Sequence, residues 1–362
     1  MNNSRRFKNT MEIANFFISE EEKIKNVLYR MNTVGHGILL IGSDNQLKAV
    51  ITDGDIRRAM LRGYDENSRS GDIANYCPIF LNLFEATEQK INEVFKTKRI
   101  KAVPIVGNDG TVKRIVFDNG KVIYKKAYND TKVIIMAGGK GTRLAPLTDV
   151  LPKPLIPLDN ETILEHIIDR FSILGFWDFN IIINYKKELI KAFFSETVYN
   201  NKNNVNVTLW EEENFQGTAG GLKLLQGEIK STFILSNCDI IVNSDYEYII
   251  NKHKENNNYI TMVCAPQNIQ IPYGTVKMDA DNNIIALEEK PSIECLINTG
   301  LYVLEAEAIE LINNEEFLHM PDLIQRCIDK GYKVGAYKIA EDGWLDMGEI
   351  NKLKYMEKQF IS

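Results

Sequence analysis

The residues able to do chemistry cluster around a few short apolar runs. Residues 133–137 (VIIMA) lead directly into Gly138-Gly139-Lys140-Gly141-Thr142-Arg143-Leu144. A short run without alternation suits a strand buried on both faces of a parallel sheet. Glycines straight after such a strand let backbone N–H groups approach a phosphate closely. The P-loop pattern G-x-x-x-x-G-K-[ST] is not matched, and a dinucleotide-binding G-x-G-x-x-G would need glycine where Leu144 stands. Lys153 follows ten residues after Arg143, held between Pro152 and Pro154. Two prolines keep the backbone extended around one cation, a frame suited to phosphate. A second apolar run, Phe233-Ile234-Leu235, ends at Asn237-Cys238-Asp239. That puts a carboxylate at the carboxyl end of a strand, the ligand side of an open α/β sheet.

The pair A-G-G-x-G-T-R-L (Ala137 to Leu144) and P-K-P-L resembles the signature of nucleotidyltransferases acting on sugar 1-phosphates. The resemblance runs over the last two thirds of the chain, with further elements in the family's order. Gln216-Gly217-Thr218-Ala219-Gly220 is similar to the G-T-A-G turn, Tyr273-Gly274 to Y-G, and Glu288-Glu289-Lys290-Pro291 to E-K-P. Asn298-Thr299-Gly300-Leu301-Tyr302 is similar to N-x-G-x-Y, and Trp344-Leu345-Asp346-Met347-Gly348 to W-x-D-x-G. One departure is Ser236-Asn237, where the commoner form carries a glycine.

By this resemblance Ala137, Gly138, Gly139, Gly141, Thr142, Gln216, Gly217 and Thr218 bind the nucleotide. Gly274, Glu289, Lys290, Asn298 and Thr299 face the sugar phosphate. Asp239 and Asp346 hold Mg²⁺, and Arg143, Lys153 and Asp239 are the catalytic set. The implied reaction joins an NTP to a sugar 1-phosphate, giving an NDP-sugar and pyrophosphate. Its nucleophile is a phosphate monoester with a second pKa of about 6, so it arrives ionised and needs no general base. The task is to bring one anion onto another, which calls for positioning and charge neutralisation. Arginine offers a fork of donors for the departing pyrophosphate, and Lys153 and Lys290 would steady the nucleotide and sugar phosphates.

The base is less constrained. Gln216 can donate and accept together, so guanine, uracil and thymine all stay open on chemistry alone. Counted from Glu213, the segment up to Gly217 is about one residue shorter than the family's E-x-x-P-L-G-T-A-G form. The fused N-terminal region resembles that of guanylyltransferases making GDP-activated amino sugars for legionaminic-type acids, which implies GTP and glucosamine 1-phosphate. Mannose-1-phosphate guanylyltransferase and glucose-1-phosphate thymidylyl- or uridylyltransferase are the alternatives. An inactive, nucleotide-sensing homologue is a further one of another class.

That N-terminal region carries an imperfect repeat. Residues 36–51 (HGILLIGSDNQLKAVI) overlay residues 101–116 (KAVPIVGNDGTVKRIV), matching Gly42 to Gly107, Asp44 to Asp109 and Lys48 to Lys113. Each reads as a hairpin, with turns at Ser43-Asp44-Asn45 and Asn108-Asp109-Gly110. A helix precedes each: Ser19 and Glu22 offer a capping box to a face of Ile24, Val27, Leu28 and Met31, and Ile91, Val94 and Phe95 repeat the pattern. After the first hairpin, TDGDIRRAMLRG reads as a capped helix ending at Gly63. The doubled unit resembles a CBS pair (a Bateman module), whose T-x-x-D element hydrogen-bonds a ribose. Thr52 and Asp55 match it, and a capped acidic first turn is the plainer reading of the same residues. In the second repeat Phe117 and Gly120 stand at those places, so at most one regulatory nucleotide is expected.

The expected architecture is therefore α/β: a CBS-pair module over residues 1–120, a linker over 121–132, and a doubly wound, Rossmann-like mixed sheet of the GT-A kind over 133–362. A formal charge of −6 does not suit a nucleic-acid partner. The five cysteines form no C-x-x-C pair and the four histidines are scattered, which argues against disulfides or a zinc centre and fits a reducing, cytoplasmic setting. No apolar run reaches the roughly 18 residues of a membrane helix, and the N-terminus lacks a secretory h-region. A homo-oligomer is expected by analogy with paired CBS modules.

Overall fold

The computed structural model describes residues 12–348 apart from 84, 87, 108, 125–127, 159–160, 197–204 and 341–342. The readings of Asn108, of linker residues 125–127 and of both chain ends lie outside the described residues. The chain divides into two units, Met1–Ala127 and Tyr128–Ser362.

In the first unit both hairpins form. Strands β1 (Phe17–Ile18), β2 (Ile38–Ile41) and β3 (Ala49–Thr52) make one sheet. Strands β4 (Leu81–Asn82), β5 (Ala102–Val106), β6 (Val112–Phe117) and β7 (Val122–Tyr124) make another. In each sheet a two-residue strand runs parallel to the hairpin's first strand, so the repeat is structural as well as sequential. Helix α1 (Ile24–Val34) precedes the first hairpin, α2 (Asp53–Leu61) follows it, and α3 (Glu88–Lys98) precedes the second. Among the described residues after β6 there is no counterpart of α2. The chain turns at Gly120, φ 81°, into β7, which pairs back on β6. One core spans both repeats, from Leu39 and Ile51 to Ile115 and Phe117.

Three local expectations fail. The Ser19–Glu22 capping box does not form: α1 begins at Ile24 behind Lys23, and Ser19 Oγ accepts the Glu21 N–H instead. The pairing of Lys23 with Arg69 and the Ile24 N–H bond to the Ser68 carbonyl fix where the helix can start. Leu28 is 38% exposed, on the solvent edge of α1's apolar stripe. The stretch expected as a linker over 121–132 is largely strand. Val122–Tyr124 completes the second sheet, and Tyr128 opens the long strand β8 (Tyr128–Ala137) of the next unit.

The second unit is built on a seven-stranded mixed sheet in the order β12-β11-β8-β13-β18-β15-β19. Its strands are β11 (Phe176–Ile183), β12 (Asn206–Glu211), β13 (Phe233–Asn237), β15 (Ile260–Gln270), β18 (Ser292–Leu304) and β19 (Val334–Lys338), together with β8, which lies between β11 and β13. Strands β12, β11, β8 and β13 run parallel, and β18 is antiparallel to both of its neighbours. The VIIMA run is buried on both faces, as expected. Val133, Ile135 and Ala137 enter one core, and Ile134 and Met136 enter the other. The first core is covered by α5 (Ile163–Ile173), α6 (Lys187–Glu196) and α7 (Tyr246–Glu255). The second is covered by α8 (Met320–Asp329) and two 3₁₀ turns. The doubly wound expectation therefore holds.

Smaller ladders flank this sheet. Strand β14 (Ile240–Val242) pairs with β20 (Trp344–Asp346), and β16 (Thr275–Met278) pairs with β17 (Ile284–Glu288). A third, β9 (Pro157–Leu158) with β10 (Glu161–Thr162), leads into α5. Among the described residues, no helix is long and apolar enough to cross a membrane.

Candidate active site

From β8 the chain proceeds outward to β11 and β12, then returns to the other side of β8 to form β13. The carboxyl ends of β8 and β13 thus bound the topological switch point, where open α/β sheets bind ligands. The two chemical stretches sit there. Gly138 leaves β8, and Asp239 stands two residues beyond β13.

The glycine loop is shaped by close approaches. Gly141 has φ 65°, and a Cβ on it would lie 2.9 Å from Thr148 Cγ2 and 3.0 Å from Lys153 Cβ. Residues Thr142–Leu144 then wind into a single 3₁₀ turn that buries Leu144 and leaves Arg143 exposed. Thr148 Oγ1 donates to the Gly141 carbonyl, and the short helix α4 (Leu147–Val150) carries it there. Lys153 lies in its own 3₁₀ turn behind Pro152 and is 7% exposed. Its ammonium donates to Asp239 Oδ2, and an Arg143 guanidinium nitrogen stands 3.8 Å from the same oxygen.

Asp346 is brought to this place by the β14–β20 ladder, which sets it opposite Ile240. The Met347 N–H donates to the Asp239 carbonyl at 2.7 Å, locking the two segments in register. A Cβ on Gly348 would sit 2.7 Å from Asp346 Oδ1, 3.1 Å from an Arg143 nitrogen and 3.3 Å from Asp239 Oδ2. Arg143, Lys153, Asp239 and Asp346 are therefore gathered around one point. The carboxylates are hard oxygen donors of the kind Mg²⁺ shares with substrate phosphates, and glycine leaves the space between them clear. The residues fit such an ion. Among the described residues no group of three or more acidic, His or Cys side chains forms a fuller cage, so further ligands would come from substrate and water.

On the base side, Gly217 has φ 82°, and a Cβ there would run into the Leu318 carbonyl. The Thr218 N–H donates to His319 Nδ1 at 3.3 Å and its hydroxyl accepts the Met320 N–H, so the turn is pinned to the start of α8. Gln216 is half-buried, and its carbonyl accepts the Leu318 N–H.

Glu212 is a residue that motif spacing alone did not single out. It is 1% exposed, and neither carboxylate oxygen has a partner of full hydrogen-bond geometry, the Gln216 backbone N–H acting on it only weakly. A Cβ on Gly138 would fall 2.6 Å from one oxygen, and one on Gly221 would collide with the other. Burial pushes its carboxyl up to about 7, against a smaller opposing pull from the Gln216 backbone. The signal was present in the sequence. Counted from Glu212 rather than Glu213, the segment has the family's full length, with Phe215 and Gln216 in place of Pro and Leu.

The expected sugar-phosphate residues are only partly gathered. Gly274 and Glu289 meet at the base of the exposed β16–β17 hairpin, where a Cβ on Gly274 would lie 3.0 Å from Glu289 Oε2. Lys290 follows, exposed and with φ 48°. Asn298 Nδ2 donates to the Tyr302 hydroxyl. The Thr299 hydroxyl is buried, donating to the Val263 carbonyl and accepting the Leu301 N–H, so its one O–H donor is used within the fold. Lys290→Ala should raise the KM for sugar phosphate about tenfold while changing the KM for NTP less than about twofold in steady-state assays. The reverse ranking would mean that the two pockets are exchanged.

Comparison with known proteins places the second unit in a family. A UTP–glucose-1-phosphate uridylyltransferase of Synechocystis is 28% identical over 238 residues, covering 60% of each chain. A bifunctional protein GlmU of Methanocaldococcus jannaschii is 33% identical over 226 residues, covering 59% of this chain and 50% of that one. A mannose-1-phosphate guanyltransferase of Candida albicans is 31% identical over 230 residues, covering 60% of this chain and 61% of that one. The chain thus spans half to three fifths of the length of these relatives. HddC from Yersinia pseudotuberculosis superimposes with a TM-score of 0.50 at 22% identity, over 64% of this chain and 99% of that one, a likeness of fold. Residues 132–361 match the nucleotidyl transferase family model, and the chain belongs to that family.

Proposed function

We propose that this chain transfers a guanylyl group from GTP to a sugar 1-phosphate and releases pyrophosphate. Gathering of Arg143, Lys153, Asp239 and Asp346 at the switch point supports the transfer chemistry. Backbone N–H groups of the glycine loop receive the nucleotide phosphates. Arg143, exposed at its tip, meets the charge that grows on the departing pyrophosphate. Asp239 and Asp346 would hold Mg²⁺. When bound, that ion supplies Lewis-acid charge neutralisation at the reacting phosphates.

The choice of guanine rests on Glu212. A carboxylate only accepts, and neither of its oxygens, one beside Gly138 and one beside Gly221, has a partner of full hydrogen-bond geometry, the Gln216 backbone N–H acting on them only weakly. Guanine alone among the bases presents two adjacent donors, N1–H and the N2 amine, on one edge. Uracil and thymine set a single donor between two carbonyl oxygens, which an ionised carboxylate repels. Glu212 is 1% exposed, so reading a base requires the groups that cover it to move aside. Rates of pyrophosphate release across four NTPs and several sugar 1-phosphates test this reading. A kcat/KM for UTP or dTTP above that for GTP would refute guanine and leave the transfer chemistry standing. Resemblance in the N-terminal unit favours glucosamine 1-phosphate as acceptor, for a legionaminic-type pathway, in a cytoplasmic homo-oligomer.

We read that unit as a CBS pair with one nucleotide site, at Thr52 and Asp55. Thr52 caps α2, and both its N–H and its hydroxyl donate to Asp55 Oδ2. Arg58 holds the other Asp55 oxygen at 2.6 Å. At the matching place in the second repeat, Phe117 is buried beside His36, ring centroids 4.3 Å apart, and offers no hydroxyl. Calorimetry of the full chain with adenosine nucleotides should give one site per chain outside the transfer site, weakened about tenfold or more by Asp55→Ala. Two equivalent sites, or affinity indifferent to Asp55→Ala, would remove this reading.

A further inference from the structure

The contact between Lys153 and Asp239 constrains how the site fills. Lys153 is 7% exposed, and its ammonium rests on the same Asp239 oxygen that Arg143 approaches at 3.8 Å. A buried ammonium without an anionic partner is strongly destabilising. Lys153 has little freedom to withdraw into water. Its stem lies against Gly141, with Cβ 3.0 Å and Cδ 3.3 Å from where a Cβ there would stand. Its backbone is set between two prolines. The ammonium must therefore exchange one anion for another. A divalent cation at Asp239 would share its oxygen with one cation and lie close to a second, with Asp239 and Asp346 as the carboxylates gathered there among the described residues.

We propose that Lys153 closes the Asp239 oxygen to divalent metal in the free protein, and releases it only when a nucleotide phosphate takes over the ammonium. The inference rests on the reading of Asp239 and Asp346 as metal carboxylates. Lys153 then serves as an interlock: the site does not charge with metal alone, and metal and nucleotide enter together.

The test is direct binding of Mn²⁺ to the nucleotide-free protein, followed by the paramagnetic signal of the free ion. Lys153→Met keeps the length of the buried stem and removes the charge. It should bind Mn²⁺ about tenfold or more tighter than the wild-type chain, while Lys153→Arg stays near wild type. Arg143→Gln, at an exposed position that carries little folding risk, should tighten binding by about threefold, in keeping with its longer and better-screened contact. Equal Mn²⁺ affinity in the wild type, Lys153→Met and Arg143→Gln would overturn the interlock. Adding Asp239→Asn to Lys153→Met separates the two failures. Loss of the gain places the ion at Asp239 and supports the proposal. Retention of the gain means that the ion sits elsewhere, and the reading of Asp239 fails with it.

Discussion

Asp239→Asn should lower kcat by about a thousandfold, Asp346→Asn by a similar factor, and the double variant by little more than either. Both carboxylates face the point marked by Gly348, and each is assigned to the same ion, so removing either disables one unit. Losses that multiply in the double variant would mean that the two act separately. Asparagine is the informative replacement. It keeps an oxygen that accepts from the buried Lys153 ammonium but removes the charge, so it bears part of the roughly 3–5 kcal/mol cost of breaking a buried pair, whereas Asp239→Ala removes the hydrogen bond as well and confuses a folding defect with a catalytic one more severely. Thermal unfolding of the asparagine variants beside the wild type checks that distinction.

Glu212→Gln should produce the second large effect, in selectivity. The amide replaces an acceptor pair by one donor and one acceptor, so one guanine donor loses its partner and meets another donor. The ratio of kcat/KM for GTP to that for UTP or dTTP should fall on the order of a hundredfold. An unchanged ratio would take base reading away from Glu212.

The pH dependence has a definite sign. Burial holds the Glu212 carboxyl at about 7, above its usual 4.5, so the free folded protein binds this proton more tightly than the unfolded chain. On the proposed reading, guanine pairs with the ionised form. The apparent affinity for GTP should therefore be flat above pH 7 and fall toward tenfold per unit below it, with a proton released on binding. The same shift acts on folding in the opposite sense. Below pH 4.5 both states are protonated and no penalty exists. Between 4.5 and about 7 the unfolded chain ionises first, and the fold loses up to about 3 kcal/mol. Urea titrations at about pH 5 and about pH 8 should show that loss in the wild type and its near absence in Glu212→Gln.

How far the fold and the site were legible in the residues depended on whether a local rule carried them. The VIIMA run announced a strand buried on both faces because alternation is lost only when both faces are covered, and β8 lies inside its sheet, between β11 and β13. Thr52 and Asp55 announced α2 because a capping box is closed within four residues and needs no tertiary partner. Ser19 and Glu22 offered the same letters and failed, because the partners of Lys23 and Ile24 at Arg69 and Ser68 set the start of α1 from a distance.

The site divides along the same line. Residue types and order suggested the roles proposed for Arg143, Lys153, Asp239 and Asp346, since moving one phosphate onto another calls for such groups. Their convergence was decided by tertiary structure alone: the crossover that places β13 beside β8, and the β14–β20 ladder that returns Asp346 from the far end of the chain. Glu212 shows the difference most sharply. Glu211, Glu212 and Glu213 are chemically identical in the sequence. Glu211, the last residue of β12, faces out to Lys187 and Lys191, Glu213 lies exposed in the bend that follows, and only Glu212, its N–H still bonded to the Ile183 carbonyl, is buried, where burial raises its pKa. Sequence determined which groups are available for this reaction. The direction each one faces was set by the sheet, because only long-range strand pairing fixes which side of a strand is the inside.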